Sequence, residues 1–396
     1  MVRSAADDAA RLVSRSKEGK QPNLLLIFPG PVHDIADHFK DRLERLSAHY
    51  GGVLLVSAND DQRLTLGNFD VIAVRERKTE KLGSFLVLLA RARAAAHERA
   101  LRGEGFDAVV SYDPLRSGLI GWLVAREYGV PLMTEINGDY AAAENYADIP
   151  NALMRRVKQT IFVQLARFVL RRAKGIKLLN DSQITPFRTV LRDPVIRTFP
   201  NYVDLVPYKN LGDSPEVLFI GHPFHRKGVD ILIRAFKLVS DDYPDWRLTI
   251  IGWFPDPTLL SAAIAGHPRI EARPPVFHRD IPMYLGRCGI FVLPSRSEAM
   301  GRVLIEAMAC GKARIGSNVG GIPTVIDHAV DGLLVRPGDV EDLAGALRCL
   351  MHDEALRLRL GRNGELRARE RLSPAVYFDR VRDLYDTVLE RSRVAH

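Results

Sequence analysis

The sequence predicts an α/β protein: two doubly wound, Rossmann-like domains of parallel strands, with a last helix packing back on the first domain. Three observations carry this expectation. Short continuous apolar runs, suited to strands buried on both faces, alternate with longer stretches of three- and four-residue apolar spacing. The alternation begins afresh after a stretch interrupted by Pro200 and Pro207. A length of 396 residues suits two domains at roughly 100–200 residues each.

In the first half the apolar runs are 24–28, 53–56, 71–74, 108–110, 131–133 and 176–179, with helical stretches such as 35–48 and 86–101 between them. Strand–helix–strand repetition implies right-handed crossovers. The second half resumes with a run at 217–220, a Gly-containing loop and a helix over 230–240. Runs at 248–251 and 290–293 follow, with helices expected over 303–309 and 340–351. A final helix over 374–389 aligns Phe378, Val381, Leu384, Tyr385 and Val388 on one stripe and has no strand of its own to cover. The expected domains are therefore 1–205 and 206–373, with 374–396 as the helix that crosses back. Residues 1–21 read as a polar lead-in, in part helical, without the apolar core of a signal peptide.

Hydrophobic residues at 46% and charged residues at 26% describe an ordinary globular chain and argue against disorder or a fibrous repeat. Cys288, Cys310 and Cys349 lack the spacing of a disulfide framework or a zinc site, so a reducing, cytoplasmic setting is expected. No segment reaches the ~18 consecutive apolar residues of a membrane span, so membrane contact would be peripheral. The net charge is +8; through Asp204 there are 30 basic and 24 acidic residues, and 26 and 24 beyond it.

Much of the excess lies in Arg155, Arg156, Lys158, Arg167, Arg171, Arg172, Lys174 and Lys177, interleaved with Val157, Ile161, Phe162, Leu165, Phe168, Val169 and Leu170. Two readings stand: a basic amphipathic helix for an anionic membrane surface, or a core helix with a wetted basic face. No convincing basic stripe carries the interleaved aromatics of a nucleic-acid binder, so nucleic acid is not an expected partner.

In open α/β sheets ligands bind beyond the carboxyl ends of the strands, so the loops there hold the candidate site. The loop Gly221-His222-Pro223-Phe224-His225-Arg226-Lys227-Gly228 brings two cations to a helix N-terminus, which suits a phosphate or diphosphate; a solvated basic turn is the alternative. In residues 295–308, Glu298 and Glu306 stand eight apart, and amides from Ala299 through Met300 and Gly301 to Arg302 precede a helix. Glu306 lies in an apolar setting, where a charge needs a partner, and could accept ribose hydroxyls. In 319–324 the paired glycines are expected to present amides and Pro323 to start a helical turn. In 134–140, Asn137 and Asp139 could bind hydroxyls or simply form an Asn-Gly turn.

The block from Phe291 to Ala344, with its paired-Glu motif followed by Gly320-Gly321-Ile322-Pro323, resembles the donor site of family 4 retaining glycosyltransferases of the GT-B fold. Further similarity lies in residues 221–236, in 200–204, in 113–140 and in the final helix. The resemblance implies two domains facing a cleft, with a nucleotide-diphosphate sugar bound by the second and an acceptor bound by the first. It implies that Lys227 holds the diphosphate and Glu306 the ribose. Glu298 and the backbone of Ala299, Met300, Gly301 and Arg302 would meet the transferred sugar and phosphate, and Gly30 would line the first-strand loop near the diphosphate. Two positions depart from the family pattern. His222 stands where Arg usually follows Gly221, and Asn137 stands where a His usually contacts the sugar.

No Asp-x-Asp spacing for a catalytic metal occurs, since Asp60-Asp61 and Asp241-Asp242 are adjacent pairs beside turns. Lys227, with Arg226 or His222, is therefore expected to stabilise the leaving diphosphate, with no metal or other cofactor. The expected activity is retaining hexosyl transfer to a glycan, lipid-linked or small-molecule acceptor. An inactive sugar-nucleotide-binding protein and a GT-B epimerase are the alternatives.

Overall fold

The computed structural model describes residues 21–394 apart from His33, residues 77–80 and Asp148. The polar lead-in expected over 1–21 lies, up to Lys20, outside the described residues. The chain divides into two compact units: 1–140 with 156–199 and 378–396, and 141–155 with 200–377. Residues 141–155 and 200–205, expected in the first domain, belong to the second unit, as do the first four residues of the last helix. Unit membership follows packing rather than chain order.

The first unit opens with β1 (Asn23–Val32), α1 (Ile35–Leu46), β2 (Gly51–Ala58), β3 (Gln62–Leu66), β4 (Phe69–Arg75) and α2 (Lys81–Leu101). It continues with β5 (Ala108–Ser111), α3 (Arg116–Tyr128), β6 (Leu132–Ile136), most of α4 (Ala152–Leu170), β7 (Gly175–Leu178) and β8 (Val195–Thr198). Its eight-stranded sheet runs β3-β4-β2-β1-β5-β6-β7-β8 and is parallel except for the β3–β4 pair. Leu24, Leu25, Leu26 and the whole of β2 are buried, as strands covered by helices on both faces must be. Winding starts at β1 and proceeds toward β4, then returns to the other side of β1 with β5. The order therefore reverses between β1 and β5.

The second unit holds β9 (Glu216–Ile220), α5 (Val229–Val239), β10 (Arg247–Ile251), α6 (Pro257–Ile264), β11 (Ile270–Arg273), α7 (Ile281–Arg287) and β12 (Ile290–Leu293). It ends with α8 (Arg302–Ala309), β13 (Ala313–Ser317), α9 (Ile322–Val325), β14 (Leu333–Val335), α10 (Val340–His352) and α11 (Glu354–Arg371). Its six strands are all parallel in the order β11-β10-β9-β12-β13-β14, so the reversal falls between β9 and β12.

The last helix, α12 (Pro374–Val394), packs from Phe378 onward against the first unit. The Tyr50 hydroxyl donates to Asp386 at 2.7 Å, the Tyr50 and Tyr385 rings meet edge-on, and Arg197 pairs with Asp383. The apolar stripe read from the sequence faces inward: Val381, Leu384, Tyr385 and Val388 are buried.

Every apolar run expected as a strand forms one. Unforeseen were β3, β8, β11, β13 and β14. The exposed edge strands β3 and β11 carry Gln, Arg and Glu, and β13 buries Arg314 against Asp331 at 3.0 Å, so these three present no continuous apolar run; β14 is apolar but only three residues long. Of the adjacent acidic pairs, Asp61 accepts the Arg75 amide and Asp241 pairs with Arg269. Among the described residues no group of three or more His, Cys, Asp and Glu gathers as a metal-ligand set.

Candidate functional site

The second unit brings most of the expected donor residues together at its winding reversal. The loop after β9 carries Gly221 to Gly228 and the loop after β12 carries Ser295 to Gly301. Adjacent parallel strands with diverging crossovers leave a crevice there. The Lys227 ammonium bonds directly to the Glu298 carboxylate, which the Ser295 hydroxyl also approaches at 3.4 Å. Sequence reasoning gave these two residues separate contacts; the fold makes them partners. An ammonium has three protons, so one bond to Glu298 leaves Lys227 able to donate to a further oxygen. Arg226 lies in the same loop, its guanidinium 3.5 Å from the carbonyls of both Ser297 and His222. His222 is exposed and its ring stands edge-on to Trp253. Gly221 donates its amide to Ile251 of β10.

The two loops cross at backbone contact. Gly228, in left-handed conformation at the head of α5, would place a Cβ 2.0 Å from the Pro294 carbonyl oxygen. Gly320 and Gly321 press against the motif loop in the same way: a Cβ would lie 2.0 Å from the Glu298 oxygen and 2.1 Å from that of Ala299. The Gly321 amide donates to the Glu298 carbonyl at 2.9 Å. For Gly321 this corrects the expectation that the paired glycines present amides to a ligand. Their lack of side chains lets the loop seat against them, and the Gly321 amide is spent inside the protein.

Gly301, also left-handed, starts α8, and the amides at a helix start have no intrahelical acceptor. The Met300 sulfur accepts from the Asn201 amide at 3.1 Å. Glu306, one turn on, is 4% exposed at its side chain; Arg302 donates to it at 2.8 Å and His278 lies 3.9 Å away. The partner that its apolar setting demanded is thus Arg302, four residues back on the same helix face. Tyr208 is buried beside it, and burial, then the Glu306 charge, push the phenol upward.

Gly30, Asn137 and Asp139 belong to the first unit. Gly30, at φ +46°, would carry a Cβ 2.2 Å from the Ser57 carbonyl oxygen, so only glycine lets the end of β1 lie against β2. Asn137 is the first residue beyond β6, and Asp139 follows it, partly exposed. The Asn137 side-chain amide donates to the Tyr112 carbonyl at 2.9 Å and to Glu135 at 3.2 Å.

Three supports escaped sequence reasoning. Arg296 ties the two loops together: its amide donates to the Arg226 carbonyl, and its guanidinium donates to the His225 carbonyl at 2.6 Å and to both Asp230 oxygens at 2.7 Å. Burial opposes the Asp230 charge, yet Arg296 outweighs it and keeps the carboxyl low. In the first unit Arg116 clamps the β1 exit by donating to Pro29 at 2.8 Å while pairing with Glu76. Beneath Asn137, Glu135 lies between Arg42 and Lys177, each at 3.3 Å. Burial alone would raise the Glu135 carboxyl, but the Lys177 and Arg42 charges bring it below its ordinary value. Lys177, counted by sequence with the basic helix, is instead buried in β7, and burial lowers it to about 8 against the pull of Glu135. The signal available in sequence was a charged residue inside each of two apolar runs, Glu135 and Lys177.

Comparison with known proteins bears on the family and the fold. Residues 207–367 match the family described as Glycosyl transferases group 1, and residues 46–201 match the Glycosyl transferase 4-like domain. The chain belongs to the family 4 glycosyltransferases of the GT-B fold, and it is a glycosyltransferase enzyme. Among curated proteins it is 29% identical over 294 residues to a D-inositol 3-phosphate glycosyltransferase of Thermobifida fusca, covering 67% of each chain. It is 26% identical over 261 residues to the alpha-D-kanosaminyltransferase of Streptomyces kanamyceticus, covering 61% of this chain and 67% of that one. The fold is shared with sucrose-phosphate synthase from Thermosynechococcus elongatus, at a TM-score of 0.76 and 21% identity over 94% of this chain and 100% of that one. It is also shared with Anabaena HepE, solved with UDP and glucose, at 0.68 and 18% over 92% and 99%.

The Lys177 shift fixes a sign. Between about pH 8 and its unfolded value of 10.5 the unfolded chain binds the proton more tightly, so stability from this group rises with pH across that window. The unfolding free energy of the wild type minus that of Lys177→Met should therefore increase from pH 8 to pH 10 in paired urea titrations. A flat or falling difference would contradict the buried, proton-shedding lysine.

Proposed function

We propose that this glycosyltransferase moves a hexose-type sugar from a nucleotide-diphosphate sugar to a glycan, lipid-linked or small-molecule acceptor, retaining the anomeric configuration and using no metal. The observation that carries the reading is the meeting of Lys227, Glu298 and the start of α8 at the β9–β12 reversal, with Glu306 one turn further. Anabaena HepE, of like fold, is solved with UDP and with UDP-glucose, which supports the same donor class here.

In transfer, the bond between the anomeric carbon and the diphosphate oxygen breaks and negative charge grows on the leaving group. Lys227 and Arg226, with the helix-start amides, supply positive charge aimed at that oxygen, the work a metal would otherwise do. Glu298 keeps the ammonium in place before the donor arrives. Glu306, oriented by its bond from Arg302, accepts from the ribose hydroxyls. The acceptor oxygen attacks from the leaving-group face, and its proton passes to the departing phosphate. The first unit, with Gly30, Asn137 and Asp139 at the carboxyl ends of its strands, serves the acceptor and the sugar.

A lipid-linked acceptor at an anionic membrane surface is favoured by one further observation. The first half of α4 leaves Leu153, Met154, Val157 and Ile161 exposed, at 71%, 63%, 48% and 57%, on one side of the helix. Its second half packs inward through Ala166, Val169 and Leu170, and Arg126, Arg171 and Arg192 crowd Arg172 just beyond it. An apolar stripe flanked by cations suits the interface of an anionic bilayer. No described helix is long and apolar enough to cross a membrane, so the contact proposed is peripheral.

Product release from a panel of UDP-, GDP- and ADP-sugars should identify a donor whose turnover survives EDTA. Abolition by EDTA and restoration by manganese would refute the metal-free reading. Lys227→Ala should lower turnover by far more than ~10-fold, since it removes charge stabilisation made in the transition state; a near-normal rate would remove Lys227 from the site. In flotation assays the protein should rise with phosphatidylglycerol vesicles but not with phosphatidylcholine vesicles. Val157→Glu with Ile161→Glu, or Arg171→Glu with Arg172→Glu, should abolish this, and failure of the wild type to float would overturn the membrane reading.

A further inference from the structure

Three segments of the first unit bring arginines together at the sheet edge opposite its strand exits. The last turn of α3, which leads into β6, carries Arg126; the end of α4, which leads into β7, is followed by Arg171 and Arg172; and Arg192 lies three residues ahead of β8. Because β6, β7 and β8 are parallel, all four stand at amino ends, away from the exits that hold Gly30, Asn137 and Asp139. A pair of rings forms the floor: Trp122 of α3 and Phe168 of α4 meet edge-on with centroids 4.8 Å apart. The Arg172 guanidinium lies 3.6 Å from the Phe168 centroid and 5.2 Å from that of Trp122, and the Arg126 guanidinium lies 5.6 Å from Trp122. Such stacking orients a guanidinium while leaving its N–H edge able to donate.

The charge gathered here is unbalanced. All four arginines are exposed, and among the described residues none of them pairs with a carboxylate. Their acidic neighbours in sequence face other cations: Glu127 pairs with Arg93 at 2.8 Å and Asp193 with Arg391 at 3.9 Å. Burial, then the charges of Arg171, Arg192 and Arg126, push the Arg172 guanidinium below its ordinary value, so the cluster repels itself. A cation is favourable at a helix end, and Arg172 fills that place on α4 by donating to the Phe168 carbonyl at 2.9 Å. With Arg126 in the last turn of α3, helix ends account for two of the four. Arg171 and Arg192 are left unexplained by the fold.

We propose that Arg126, Arg171, Arg172 and Arg192, on the floor of Trp122 and Phe168, form a binding site for a phosphate monoester group at the amino-end edge of the first sheet. A dianion with three terminal oxygens takes forked N–H pairs from several guanidiniums at once and cancels the repulsion among them. A carboxylate offers two oxygens and one charge. The group is borne either by a lipid headgroup or by a soluble phosphate. The inference needs neither the sugar-nucleotide reading nor bilayer contact through the apolar stripe, whose nearest residue, Ile161, lies about 15 Å along α4 from Arg171.

The test uses the full chain carrying Lys227→Ala, which weakens phosphate binding at the donor loop. Calorimetric titration with inorganic phosphate, at constant ionic strength set with chloride, should show one saturable site per chain. Arg171→Gln with Arg172→Gln should weaken it by about 10-fold or more, and so should Arg126→Gln with Arg192→Gln, which alters different segments. Arg171→Lys with Arg172→Lys keeps the charge but removes the forks, and should weaken binding by a similar factor. Vesicles then separate the two sources. At equal surface charge, tighter binding to phosphatidic acid, a monoester, than to phosphatidylglycerol, a diester, lost in the same variants, assigns the group to a lipid; equal binding to both assigns it to a soluble phosphate. Absence of saturable phosphate binding, or binding that the glutamine or the lysine variants leave unchanged, would overturn the proposal. Lack of turnover with every nucleotide sugar would refute the donor reading and leave this result untouched.

Discussion

A parallel sheet sends all its strands one way, so their carboxyl ends share an edge, and at one place on that edge the crossovers diverge. Each unit depends on that constraint. In the second unit the divergence lies between β9 and β12, which are 70 residues apart in places yet hydrogen-bonded as neighbours, with Leu218 opposite Phe291. Because the loops leave adjacent strands in different directions, they can approach only at backbone distance. Gly228 against Pro294, and Gly320 and Gly321 against Glu298 and Ala299, are the places where a Cβ would prevent it. The Arg296–Asp230 brace then locks the loops together, which sets Lys227 beside Glu298.

Charge follows the same geometry. Crowding loops onto one edge buries carboxylates, and a buried carboxylate needs a cation. Glu306 has Arg302, Glu298 has Lys227, Glu135 has Arg42 and Lys177, and deeper in the second unit Asp331 sits between Arg314 and Arg367. In the first two pairs the cation is partly accessible and can also meet an anionic or hydroxylated ligand. In the last two a buried carboxylate is held by two cations at once, and the effect is on orientation: they hold neighbouring side chains and strands in one arrangement.

The fold was legible because continuous apolar runs leave parallel strands few alternatives, and each such run became a strand. Strands with mixed composition were not legible, since β3, β8 and β11 lie at or near sheet edges and gain their structure from a partner rather than from burial. The domain limits shifted for a related reason. Where Ala141 to Arg155 pack is decided by surfaces that no local pattern describes. The candidate residues were legible as types at spacings, whereas their supports, Arg296, Arg116, Arg42 and Lys177, are separated by tens of residues from what they hold.

By itself the sequence determined the two doubly wound domains, the inward stripe of the last helix and the residue types at the strand exits, because periodicity and composition are local properties. Only the tertiary structure decided that Lys227 and Glu298 are partners, that the paired glycines seat the Glu298 loop, that Lys177 is buried, and that the amide of Asn137 donates to Tyr112 and Glu135. Each of these depends on which atoms approach within a few ångströms across the sheet edge, and that is set by strand order and register.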